Sequence, residues 1–118
     1  MIDSIPTPMV YMDAQRRYRY ANDAFFDYVG RPAGEVIGHT AREVLGQERG
    51  VALEPYLDRI FSGETVALER PIAFADGRTR WMSIRYAPRR DPVGAVIGCY
   101  VTTSDIHERK AAEERERK

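Results

Sequence analysis

Between Thr65 and Ser104 apolar and polar residues alternate with a period of two, the spacing of a strand with one covered face. Val66, Leu68, Ile72 and Phe74 carry the first run up to Ala75, and Asp76-Gly77 then supplies hairpin chemistry. A second run from Thr79 through Trp81, Met82, Ile84 and Tyr86 is expected to stop at Pro88, which has no ladder donor. Asp91-Pro92-Val93-Gly94 reads as another turn, and Ala95 to Thr103 is dense in β-branched and aromatic residues. The pattern predicts a three-stranded antiparallel meander. Apolar material must cover one of its faces, so the first half of the chain has to supply the cover.

That half reads as a strand pair followed by helices. Met9 to Met12 and Tyr18 to Ala21 are short apolar runs, joined by Asp13 to Arg17, a connection without glycine. Asn22 can cap a helix carrying Phe25, Phe26 and Val29 on one face, ended by Gly30 and Pro32. A one-turn segment over Ala33 to Ile37 stops at Gly38, and Thr40 with Glu43 makes a capping box for another brief helix ending near Gly46. Leu53, Tyr56, Leu57 and Ile60 predict the longest helix, from Gln47 or Glu48 to Ser62. Pro55 leaves two options there: a helix beginning at Glu54, or a longer one kinked at the proline. From Asp105 to Lys118 ten of fourteen residues are charged, with Glu113/Arg117 and Glu114/Lys118 as i, i+4 pairs. This is a helix leaving the domain, too poor in apolar residues to fold alone, and the chain reads as cut where a longer connector begins.

Composition narrows the class. At 118 residues the chain makes one core, and 43% hydrophobic with 31% charged residues is a soluble globular mixture. Eighteen basic residues balance eighteen acidic ones, leaving no electrostatic footprint for nucleic acid. Met1 to Pro6 lacks the basic start of a targeting segment, and no run is long enough to span a bilayer, so a cytoplasmic location without membrane contact is expected. A lone cysteine, Cys99, fits a reducing compartment.

The order of elements resembles the PAS family of sensory domains, over about Ile5 to Lys110. Four segments carry the likeness: Tyr18 to Phe25, Glu35-Val36-Ile37-Gly38-His39-Thr40, Asp76-Gly77-Arg78-Thr79-Arg80-Trp81, and Asp105-Ile106-His107-Glu108-Arg109-Lys110. The last matches the family's Asp-Ile-Thr-Glu-Arg-Lys signature except that His107 replaces threonine. The resemblance implies an α+β fold: a five-stranded antiparallel sheet of order 2-1-5-4-3, short helices over one face, a small cavity between, and an exit helix. Residues 1–104 would be the sensor and 105–118 the start of a linker helix toward an output domain, a histidine kinase or cyclic-dinucleotide enzyme in a parent chain of two-component type.

Alternation sets Met82, Ile84 and Tyr86 on one face of their strand, and Gly98, Tyr100 and Thr102 on one face of the last, which leaves Cys99 opposite. Similarity to the family turns both sets toward the helices, with Phe26, Ile72, Phe74 and Tyr56 beside them. These side chains either fill a core or line a pocket; the phenols of Tyr56, Tyr86 and Tyr100 favour a pocket, because a buried hydroxyl needs a partner. Asp105 is the candidate for signal transfer, with Arg80 or Arg78 as its partner, and a surface ion pair that caps the strand is the plainer alternative.

Cofactor classes separate on residue type. Haem-binding relatives place a histidine on the long helix and light-sensing flavin relatives a cysteine between His39 and Gly46; this sequence has neither, which argues against haem and a covalent flavin adduct and leaves a noncovalent flavin or small organic ligand. His39, His107 and Cys99 fit no metal spacing. No nucleophile arrangement or phosphate loop points to an enzyme. The expectation is a ligand-binding sensor that forms a homodimer. The alternative is a ligand-free dimerisation or relay module, in which the outer sheet face, with Trp81, and the two termini pack against another copy.

Overall fold

The computed structural model describes residues 7–117, so the readings at Met1 to Pro6 and the Glu114/Lys118 pair fall outside it. The elements are β1 (Met9–Asp13), β2 (Tyr18–Ala21), α1 (Asp23–Val29), α2 (Ala33–Val36), α3 (Ala41–Leu45), α4 (Gln47–Phe61), β3 (Val66–Ala73), β4 (Thr79–Arg90), β5 (Val96–Asp105) and α5 (His107–Glu116). One sheet of order β2-β1-β5-β4-β3 holds all five strands, each antiparallel to its neighbours. Met9 pairs with Thr102 and the Thr103 hydroxyl donates to the Pro8 carbonyl at 2.7 Å. The start of β1 therefore lies against the end of β5.

Local chemistry explains the helices. Asn22 accepts from the Phe25 amide and caps α1, and Gly30 closes it in the left-handed region. The capping box of Thr40 and Glu43 opens α3. Of the two options at Pro55 the longer helix is the one formed: α4 runs unbroken through the proline from Gln47. The glycine missing from the first turn is replaced by Arg16 at φ 61°. Its strain is offset by Asp13, whose carboxylate accepts the Gln15 and Arg17 amides, and by the Arg16 guanidinium, which donates to Asp58 and lies 5.0 Å from the Phe61 ring centroid.

Helices cover one face of the sheet, and Met12, Val36, Ile60, Met82 and Cys99 are the most deeply buried side chains between them. α3 and α4 approach closely because Gly50 is buried against the Arg42 backbone; a methyl there would fall on the Arg42 Cα. Gly50→Ala is expected to lower stability by about 1 to 3 kcal/mol, although alanine is the better helix former. Urea denaturation checks this.

Pro88 does not end β4, which continues to Arg90. β3 stops at Val66 opposite Tyr86, so Pro88 lies on an open edge where its missing N–H costs nothing. A larger correction concerns β5. Arg90 pairs with Val96, but Arg89 pairs with Gly98, leaving Ile97 as an extra residue in a bulge. Without it Tyr86 would face Tyr100; with it Tyr86 faces Val101. The inserted residue turns Cys99, Val101, Thr103 and Asp105 toward the helices and puts Tyr100 on the outer face, 46% exposed.

The exit helix does not simply leave. Arg109 and Lys110 donate to Glu69 on β3 at 2.6 and 3.0 Å, and Lys110 lies 4.9 Å from the Trp81 ring centroid. Glu113 pairs back to Arg109 at 3.0 Å rather than forward to Arg117, which instead reaches Glu114.

Candidate functional site

Between α1, α4 and the helix-facing side of the sheet lies a cavity of about 360 Å³, within the range of small-molecule sites. β4 supplies Met82, Ile84 and Tyr86, β5 supplies Val101 and Thr103, and β3 supplies Leu68, Arg70 and Ile72 with Phe74 beyond it. α4 contributes Arg49, Leu53 and Tyr56, two turns of one helix face. Phe25, Tyr28 and Tyr18 close the far side.

Six of the eight expected pocket residues therefore meet here: Tyr56, Ile72, Phe74, Met82, Ile84 and Tyr86. Tyr100 does not, because of the Ile97 bulge; its ring stacks on Tyr11 at 5.1 Å on the outer face. Phe26 lines a separate surface groove with Phe74, Gly30 and Arg78, because its helix turns Phe25 rather than Phe26 inward. Arg49, Arg70 and Tyr18 were not anticipated. A signal existed for two of them: Arg70 occupies the in-phase position of an otherwise apolar strand stripe, and Arg49 sits four and seven residues before Leu53 and Tyr56.

The wall is aromatic with a few polar tips. The Arg49 guanidinium donates to the Tyr28 hydroxyl at 3.2 Å and lies 5.7 Å from that ring's centroid; Arg70 lies 5.9 Å from the Tyr56 centroid. Burial drives the Tyr18 phenol well above its usual range. The same cause pushes Tyr86 up to about 12, against a smaller pull from Arg70. Among the described residues the hydroxyls of Tyr18, Tyr56 and Tyr86 bond to no protein group, and all three residues line the cavity.

Cys99 is fully buried and lies outside the cavity wall, its thiol pushed up to about 11 by burial. His39 bonds Glu43 at 2.7 Å and His107 serves the exit helix, so the two histidines and the cysteine stand in three different places.

At the β4–β5 end of the sheet Asp105 meets Arg80 in a two-pronged pair, Nε to Oδ2 at 2.5 Å and Nη2 to Oδ1 at 3.3 Å, with side chains only 15% and 23% exposed. Arg78 is not part of it; that guanidinium turns back to Asp76 in its own hairpin. Asp105 also accepts the His107 amide at 2.9 Å, opening α5. The Trp81 backbone is held from both sides: its N–H donates to His107 Nδ1 at 3.2 Å and its carbonyl accepts from the Ile106 amide at 2.9 Å. Nδ1 must then carry no proton, and the imidazole accepts where the signature's threonine would offer a hydroxyl. Met82, a cavity wall residue, is the register partner of Asp105.

The architecture has known counterparts. The chain is 26% identical to the PAS domain of Bordetella pertussis BvgS, covering 98% of this chain and 88% of that one with a TM-score of 0.75. It shares its fold with the LOV domain of a blue-light activated histidine kinase from Erythrobacter litoralis, at 21% identity, 88% and 99% coverage and a TM-score of 0.61. An uncharacterized Sinorhizobium fredii protein, y4lL, is 32% identical over 89 residues, 72% of this chain; the chain spans 10% of that protein's length. Among the described residues no helix is long and apolar enough to cross a membrane. With a family model for the PAS fold matching residues 2–111 over this strand order and exit helix, the chain belongs to the PAS family, a sensory fold and not a catalytic one.

Proposed function

We propose that this PAS domain binds a small organic molecule in the cavity and passes its occupancy to α5, with residues 1–104 as sensor and 105–118 as the start of the linker. The observation that carries this is the pairing of Met82 with Asp105, which sets a wall of the cavity one ladder step from the Arg80 clamp. A ligand that shifts Met82 or Thr103 by a few tenths of an ångström must strain that clamp or repack around it. The output would be a histidine kinase or cyclic-dinucleotide enzyme in a cytoplasmic parent chain. A flavin matches the wall less well: its pyrimidine edge presents alternating donors and acceptors, and among the described residues no asparagine or glutamine lines the cavity. Screening small molecules by thermal shift, then following amide exchange over 106–112, tests the reading. A hit at a hundred times its Kd adds about 2.7 kcal/mol and should alter protection in α5. Hits that leave α5 untouched would defeat the relay.

A second reading, a homodimeric relay, has its own support on the outer face. Tyr20, Tyr11 and Tyr100 stand directly opposite one another on three adjacent strands, with exposed Met9 nearby. Light scattering at rising concentration should show a dimer that Tyr100→Glu abolishes; an invariant monomer mass refutes it. Trp81, expected in that interface, is already covered by Lys110.

A further inference from the structure

Resting on the ligand-binding reading, we infer that the cavity takes an anion with a flat apolar body, an aromatic carboxylate, its charged group held at the mouth by Arg49 and Arg70. Among the described residues those arginines are the only charged ones that line the cavity. Glu54, next to Leu53, is engaged by Arg42, and Glu69, next to Arg70, by Arg109 and Lys110. Among the described residues neither Arg49 nor Arg70 makes a salt bridge, whereas Arg16, Arg31, Arg59 and Arg80 all do.

Each guanidinium has donors to spare for an acid. Arg49 spends its Nε on the Leu45 carbonyl and one Nη1 donor on Tyr28, which fixes the guanidinium and leaves Nη2 free. The Arg70 guanidinium makes no hydrogen bond among the described residues and stands beside Tyr56, two helical turns further along α4 from Arg49. Both arginines line the cavity together with Leu53, Ile72 and the aromatic rings. A guanidinium fork matches a carboxylate in shape as well as charge. A neutral aromatic would fill the same space and leave both forks to water.

Calorimetric titration of 1-naphthoate against its neutral near-isostere 1-naphthamide tests this on the whole chain. Naphthoate should bind about tenfold or more tightly, and Arg49→Gln and Arg70→Gln should each weaken it about three- to tenfold while weakening naphthamide less than about twofold. Added salt should erode the difference. Equal binding of the two probes, or variants that weaken both alike, would overturn the anion and leave a ligand cavity standing. Binding of neither would overturn the aromatic carboxylate, and the ligand cavity would fall as well only if the thermal-shift screen also returned no hit. If flavin mononucleotide is held in an arginine-dependent way and riboflavin and naphthoate are not, the anion is a phosphate and the carboxylate assignment fails.

Discussion

Ile60→Ala is expected to lower the unfolding free energy by about 2 to 5 kcal/mol, while Ile72→Ala should cost less than about 1.5. The two residues carry the same side chain and differ in what surrounds it. Ile60 on α4 is 0% exposed among core residues, so truncation removes contacts on every side and leaves a void. Ile72 is half-buried on an edge strand and one of its sides already faces the cavity, so truncation only widens existing space. Set against a total stability of about 5 to 15 kcal/mol, the first change approaches unfolding. Urea midpoints with unchanged slopes would measure both. Equal costs would mean that no cavity lies against Ile72.

Asp105→Ala should detach α5 and cost about 2 to 3 kcal/mol, short of the 3 to 5 of a fully buried pair because both partners keep some solvent contact. One carboxylate performs two tasks, clamping Arg80 and accepting the His107 amide, and both are lost together. Burial works to raise its pKa, but those hydrogen bonds and the Arg80 charge outweigh it and hold the group below its usual value. A depressed carboxylate stabilises the fold above its unfolded pKa and loses that contribution as pH falls through the folded one. Amide protection over 106–112 should therefore fade below about pH 4 in the native sequence. Asp105→Asn should be weakly protected there at every pH. Unchanged exchange in Asp105→Ala would show that Glu69, with Arg109 and Lys110, holds the helix unaided.

Most of the fold was legible because its signals are local. Asp76-Gly77, the Thr40/Glu43 box, Asn22 and the period-two stripe of β3 each specify geometry from a few adjacent residues. The candidate site was legible where a strand has one apolar face, as in Met82, Ile84 and Tyr86. It was not legible in β5, where Cys99, Val101 and Thr103 are as suited to burial as Gly98, Tyr100 and Thr102. There the choice of face is set by one extra residue, Ile97, and nothing in its own chemistry announces a bulge. Arg70 was passed over for a related reason: a charge inside an apolar stripe reads as a lapse in the pattern until the space beside it is seen. The division of labour between Arg78 and Arg80 depended on where β4 begins: Arg80 lies inside the strand, within reach of Asp105, whereas Arg78 still belongs to the hairpin and is captured there by Asp76.

Because Pro8 is bonded to Thr103, the chain enters β1 and leaves β5 at the same end of two neighbouring inner strands. Such a unit can be spliced into a longer chain like a bead on a doubled thread, leaving whatever it joins on either side within reach of each other. A twist of the outgoing thread would then be felt by the incoming one without crossing the body of the bead.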